Sequence, residues 1–396
     1  MAIKIVHRRA LNGIAVANAS ELATALAAAT GGERLLLAAG NYGVMPAIPS
    51  GLASEIVIES ADTGNPAIFT SFSNRFQSKT NITLRSLSLQ FTTAGGADTE
   101  KPFQINLASN IWIDGCLVVG DLATGTGGPA DGYPTGYAIW VYYCSNVRVT
   151  NCEVHTWRGG VNFFNSSNCE MSGCNIHNIR NDGLDCVTID GMLIEGNWFH
   201  DFADSGANPE HKDAIQFWTV SEVSPSVDVV IRGNLIDVGA GQWMQSIFMG
   251  NEAVAQGAGA EMYYQNVLIE QNVIINNHLH GITVGPCNGL TIRDNSVLYH
   301  EADIDPQPVN TTGTPQILVF ASTTGTRVIT GNIVKSITID TSYGGIPGEW
   351  TTTGNVLVDP ADYGTIFTAP SIADRTFVEI APSGAGAPRE VYDLAG

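Results

Sequence analysis

Charge is scarce in this chain. Lys, Arg, Asp and Glu make up 14% of its 396 residues, against about one quarter in an ordinary soluble domain. The shortage is on the basic side: 18 Lys and Arg face 38 Asp and Glu, a formal charge of −20. A field of that sign repels nucleic acid and anionic lipid, so neither is expected as a partner. No apolar run approaches the roughly 18 residues of a spanning helix. Cys-x-x-Cys spacing is also missing among Cys116, Cys144, Cys152, Cys169, Cys174, Cys186 and Cys287, which argues against a zinc or redox site. Their odd number does not read as a disulfide framework. Hydrophobic residues, at 44%, are plentiful enough to exclude disorder.

What the chain does have is a repeat. An Asn or Gly turn, alternating apolar residues, Gly or Asn, and a second apolar pair recur along it. Asn110-Ile111-Trp112-Ile113-Asp114-Gly115-Cys116, Asn146-Val147-Arg148-Val149-Thr150-Asn151-Cys152 and Leu290-Thr291-Ile292-Arg293-Asp294-Asn295 are three copies. Alignment places Leu87, Cys116, Cys152, Cys174, Asn197, Asn234, Asn272, Asn295, Asn332 and Asn355 in one column. After a first step of 29 from Leu87 to Cys116, neighbours in it stand 22 or 23 residues apart (Cys152 to Cys174, Cys174 to Asn197) or 36 to 38 apart (Cys116 to Cys152, Asn234 to Asn272). The short step reads as a minimal coil and the long one as a coil with an insertion of about 14 residues. Short period-2 segments at a constant coil length predict an all-β parallel solenoid of ten or more coils. Like residues then stack one strand spacing, about 4.8 Å, apart. The Asn column becomes a ladder, and Cys116, Cys152 and Cys174 become a buried, reduced stack.

The N-terminal part reads as a cap over residues 1–45, followed by the solenoid over 46–357 and a C-terminal cap or tail over 358–396. Ser20 can N-cap a helix over Ser20–Ala29 that stops at Gly31-Gly32, and a strand and the turn Gly40-Asn41-Tyr42 follow. Before it, His7-Arg8-Arg9 and the stretch Ala10 to Ala19 are similar to a short signal peptide, interrupted by Asn12, Gly13 and Asn18. The stretch Ser20 to Tyr42, with the coil repeat, resembles the pectate-lyase-like right-handed β-helix superfamily. That resemblance implies a right-handed helix over most of residues 20–357. Lyases, epimerases, hydrolases and phage tailspikes share the fold, and an extracellular or phage-associated setting is expected.

A second column runs between the ladder segments, including Tyr137-Ala138-Ile139-Trp140-Val141, Asp182-Gly183-Leu184-Asp185-Cys186, Asp213-Ala214-Ile215-Gln216-Phe217 and His280-Gly281-Ile282-Thr283-Val284. Its fourth position should face solvent: Trp140, Asn162, Asp185, Gln216, Phe248, Thr283 and Leu318. Its second position is small, which suits close approach of a ligand to the backbone. The insertions, such as Gly120 to Gly136 and Ala203 to His211, would wall an extended groove suited to a polysaccharide. A polar cluster sits at the middle: Arg180, Asn181, Asp182, Asp185, His211, Lys212, Asp213, Gln216, His278 and His280. Asp182 and Asp213 should lie on adjacent coils, about 5 Å apart. Carboxylates that close need a shared proton or a cation.

These residues, with the resemblance, imply a polysaccharide lyase that cleaves a uronate polymer by β-elimination. Asp182, Asp185 and Asp213 would hold Ca2+. His211, Lys212, Arg180 or His280 would be the base. Trp140, Asn162, Arg180, Gln216, Phe248 and His278 would contact the substrate. The chain departs from such lyases in placing no Arg on the groove column. The alternative is a glycoside hydrolase. Asn181-Asp182-Gly183, Asp213-Ala214-Ile215 and His280-Gly281 look like polygalacturonase motifs, with Asp182 as acid and Asp213 activating water. The first motif is one residue short, and the second has one Asp where two are usual. A uronan epimerase is a further alternative, although Asp305-Pro306-Gln307 stands where its Asp-Pro-His motif would be sought. A non-catalytic phage glycan binder would stack sugars on Trp140, Tyr142, Trp243 and Phe248.

Overall fold

A computed structural model describes residues 13–92, 98–125, 131–202, 210–300, 313–368, 370, 377 and 384–395. The signal-like residues 1–12, parts 126–130 and 203–209 of the expected groove walls, and Asp305-Pro306-Gln307 lie outside them.

Successive coils of the chain stack their strands into three long parallel sheets. The first sheet has 12 strands, from Ile14–Val16 to Thr324–Thr330, and the second has 12, from Gly40–Val44 to Val356–Leu357. The third has 10, from Phe76–Gln77 to Ile337–Asp340. One coil of minimal length passes through Gly159–Phe164, Ser167–Ser172 and Asn175–Ile179 in turn. Alternate side chains point into the bore and meet their equivalents above and below. In the first sheet Val149, Met171, Ile194, Ile231, Ile269, Ile292 and Ile329 are in register. All seven are fully buried, and each such side chain contributes about 1.5–3 kcal/mol of transfer free energy.

The turn between first and second sheets explains the repeat. The residue before each ladder position has a positive φ: Gly115 at 59°, Asn151 at 52°, Gly173 at 62°, Gly233 at 60° and Asp294 at 55°. That left-handed region admits Gly, Asn and Asp at low cost, and the sequence shows them before all the ladder positions but Leu87 and Asn272, where Ser86 and Gln271 take the same conformation. The ladder residue itself turns inward. Asn197, Asn234, Asn272, Asn295 and Asn332 each donate from Nδ2 to Oδ1 of the next at 2.9 Å. The same Oδ1 atoms accept the backbone N–H of the preceding rung at 2.9–3.0 Å. The cysteines are free and buried, as the stack requires.

Two details of the ends differ from the sequence reading. The helix runs over Ala19–Ala28 and is capped by Asn18, whose side chain accepts from the N–H groups of Ser20 and Glu21. Glu21 accepts in return from Ala17 N–H at 2.8 Å, which completes a reciprocal cap; Ser20 lies inside the helix. The first rung also lies within the residues assigned to the cap, because Arg34–Leu37 pairs with Ile56–Ser60 and Gly40–Val44 with Ala67–Ser71. At the other end, Tyr363, Phe367, Phe377 and Val391 pack on Leu235, Val273, Leu298 and Ile333, the outer face of the second sheet. Among the described residues, no helix is long and apolar enough to cross a membrane.

Candidate active site

The third sheet carries the expected column. Its register pairs Trp140 with Asn162, Asn162 with Asp185, Asp185 with Gln216, Gln216 with Phe248, Phe248 with Thr283 and Thr283 with Leu318. Insertions enter and leave this sheet, so chain from distant rungs gathers over its outer face.

At the middle, the rungs of Asp182 and Asp213 are joined by the Gly183 N–H donating to the Asp213 carbonyl at 2.9 Å. The Asp213 N–H donates to Asp182 Oδ1 at 3.1 Å. His211, two residues before the strand begins at Asp213, folds back so that Nδ1 stands 2.7 Å from Asp213 Oδ2. One donor atom each from Asp182, His211 and Asp213 lies within 4.8 Å of the others. Asp213 is fully buried and Asp182 is 9% exposed, while the His211 side chain is 54% exposed. Gln245 follows Asp213 in the same column, and its amide nitrogen stands 2.7 Å from His211 Nε2. A proton on Nδ1, the nitrogen that faces the Asp213 carboxylate, leaves the lone pair on Nε2.

Burial and like charge set the protonation of this group. Burial pushes Asp182 well above the usual carboxylate range, and the neighbouring Asp213 charge adds to it. Asp213 is raised by burial, with the His211 contact acting against the shift. Asp185 is pushed up to about 7 by burial, opposed by the Trp218 indole and reinforced by Asp213. Trp218 Nε1–H donates to Asp185 Oδ1 at 2.7 Å. The contact with Asp213 raises His211 above its ordinary value. A cluster of carboxyls held partly protonated beside an exposed, oriented imidazole is suited to moving protons near neutral pH.

Several expected ligands are placed otherwise. Arg180 is 1% exposed. Its guanidinium donates to both oxygens of Asp98 at 3.0 and 2.8 Å, to Glu210 at 3.2 Å and to the Pro134 carbonyl at 2.9 Å. It clamps loops together and is not offered to a substrate as contact or base. Lys212 is fully buried, with Nζ 4.7 Å from the Trp243 ring centroid, so it is no surface base either. Asn162 is 2% exposed and donates to the Gly160 carbonyl at 3.1 Å. Trp140 is covered on its ring by Phe164, stacked at 4.6 Å, and by Lys101 Nζ, 3.2 Å from the centroid; it is no open stacking platform. His278 is buried, stacks on Trp243 at 4.6 Å, and is pushed down to about 3 by burial. Gln216 and Phe248 stay half-buried on the groove face. His280 is half-buried, with Nδ1 2.7 Å from the Thr283 hydroxyl, and lowered by burial.

The expected metal set also changes. Asp185 turns to Trp218, and His211 takes its place beside Asp182 and Asp213. Two carboxylates and an imidazole nitrogen do not fit Ca2+, which takes about six to eight oxygens. Four contributors went unnoticed in the sequence. Gln245 shares the column of Asp213, and Trp218 lies two residues beyond Gln216 on the same face, so both were readable by alternation. Lys101 and Glu210 come from insertions and carry no periodic signal.

Residues 104–237 match the family described as right handed beta helix region. No curated protein matches the chain. Solved structures that resemble it include an alginate lyase from Paenibacillus sp. strain FPU-7, 18% identical, with 76% of this chain and 98% of that one covered and a TM-score of 0.40. The A-module of the mannuronan C-5 epimerase AlgE4 of Azotobacter vinelandii is 11% identical, with 86% and 95% covered and a TM-score of 0.49. The Dettilon tailspike protein is 13% identical, with 85% and 64% covered and a TM-score of 0.44. Three stacked parallel sheets, the turn ladder and the match over residues 104–237 lead to one assignment: the chain folds as a right-handed parallel β-helix.

Proposed function

We propose that the outer face of the third sheet binds a uronate-containing polysaccharide and that the protein cleaves it by β-elimination. The observation that carries this reading is the 2.7 Å contact between buried Asp213 and exposed His211. It fixes the imidazole tautomer and leaves one nitrogen for a proton. Substrate entry displaces the Gln245 amide, and His211 takes the proton from C5 of the uronate. The electron pair left at C5 forms the C4–C5 double bond as the bond from C4 to the glycosidic oxygen breaks. Asp185, protonated in part near neutral pH, returns a proton to that oxygen. Hydrolysis by the Asp182 and Asp213 pair is less favoured, because both carboxyls are nearly sealed from the groove.

A panel of polysaccharides tests the reading. Wild type should raise the ultraviolet absorbance of an unsaturated uronide, and His211→Ala should lower kcat by about 100-fold or more. New reducing ends without that absorbance would assign hydrolysis instead. Epimerised product without cleavage would assign C5 inversion. Binding with no chemistry would make the chain a glycan adhesin.

A further inference from the structure

Beside the acid cluster, the groove floor opens into a cavity of about 280 Å³. It begins at Phe248, whose strand position pairs with Gln216 on the rung of Asp213. Its floor continues through Thr283 and Leu318, the next two positions of the outward column. Phe320 and Tyr343, 5.0 Å apart, line its far side. The charged lining is acidic: Glu252 and Asp340 border the cavity, and no Lys or Arg lines it among the described residues. Glu252 Oε2 accepts the Thr219 N–H at 2.8 Å, while Oε1 accepts no hydrogen bond among the described residues. Asp340 Oδ1 accepts the Ser342 N–H at 2.6 Å. His280, which also lines the space, is lowered from its ordinary value by burial.

Aromatic rings with carboxylate oxygens at the rim suit a sugar. Rings pack against its C–H faces, and carboxylates accept strong hydrogen bonds from hydroxyls. They do not suit a second uronate, whose own carboxylate would meet two like charges with no cation between. We propose that this cavity is a subsite for an uncharged pyranose unit, one rung beyond the reacting uronate. The substrate is then a heteropolysaccharide in which a neutral sugar adjoins the uronate. The proposal rests on the reading above for which sugar reacts, but occupancy of the cavity does not depend on turnover.

Calorimetric titration separates the two. Probes are hexamers of glucose, galactose, mannose and N-acetylglucosamine (neutral), of galacturonate and mannuronate (anionic), and of glucosamine (cationic). Each is titrated into wild type, into Leu318→Trp, which fills the floor from an outward position, and into Tyr343→Ala, which removes a half-exposed wall. At least one neutral hexamer should bind wild type and lose about tenfold or more in affinity in both variants, with the uronate hexamers changing by less than about twofold. Uronate binding that weakens in the variants, loss confined to glucosamine hexamer, or no hexamer that distinguishes the variants from wild type would each overturn the subsite. Because no product is measured, an inactive His211→Ala leaves this test intact, and an active enzyme does not rescue a failed one.

Discussion

At the scale of single residues, Asp213 does two things, one with its backbone and one with its carboxyl. Its N–H ties the Asp182 rung and its Oδ2 holds His211. Asp213→Asn preserves the shape and removes the charge that raises His211. Activity should fall by at least about 100-fold, and the remaining activity should titrate at lower pH, because His211 loses the partner that raised it. An acid limb of kcat/KM left unmoved would show that His211 is not the titrating base. Asp185 offers the opposite trade. Its folded value of about 7 lies above its ordinary value of about 4, so the folded state holds a proton that the unfolded chain gives up. Stability from this group is present below about pH 4 and lost as pH rises to about 7. Asp185→Asn keeps an acceptor for Trp218 and removes that loss. The variant should gain roughly 1–3 kcal/mol of stability at pH 8, little at pH 4, and lose activity at both. Equal denaturation midpoints at pH 8 would place the Asp185 carboxyl in ordinary solvation.

At the scale of elements, the Asn ladder is the joint between first and second sheets. Asn272 donates to the Ile231 carbonyl at 3.0 Å and to Asn295 at 2.9 Å, and its Oδ1 accepts two bonds from Asn234. Asn272→Ala strands several buried partners at about 1–3 kcal/mol each. The expected cost is roughly 3–5 kcal/mol in urea unfolding, with a much smaller one for Asn355→Ala at the exposed end. A ladder of this kind is legible because each rung repeats the same φ > 0 turn and the same inward side chain. The outward column was legible for the same reason, and it located Asp185, Gln216 and Phe248 on one face. Periodicity says nothing about what covers a position. Trp140 and Asn162 are on the right face but lie beneath Lys101, Phe164 and neighbouring backbone. Arg180 stands at a column entrance, yet its partner Asp98 is 82 residues away in an insertion. The fold is written in the repeat, and the site is written in the exceptions to it.

At the scale of the whole molecule, two effects of acidity point the same way. The formal charge of −20 makes folded chains repel themselves more as carboxylates ionise. The buried set adds to this. Asp182, Asp185 and Asp213 are all raised, and His211 is raised as well, so each loses its stabilising contribution as pH rises. His155, His278 and His280 oppose them, because burial lowers all three. A lowered histidine contributes stability above its unfolded value of about 6.5, which is lost as pH falls through the folded value. Above about pH 6.5 these histidines are neutral in both states and contribute no further slope, while the raised groups still do. Stability should therefore peak near or below about pH 6.5 and decline toward pH 8. Salt divides the decline into its parts, since it screens surface repulsion but reaches a buried carboxyl poorly. Added sodium chloride at pH 8 should recover part of the loss, and Asp185→Asn a further, salt-insensitive part. Urea midpoints at pH 6 and 8 with and without salt measure both; a midpoint that rises toward pH 8 would mean that the acid cluster is neutralised in the folded chain by something other than its own protons.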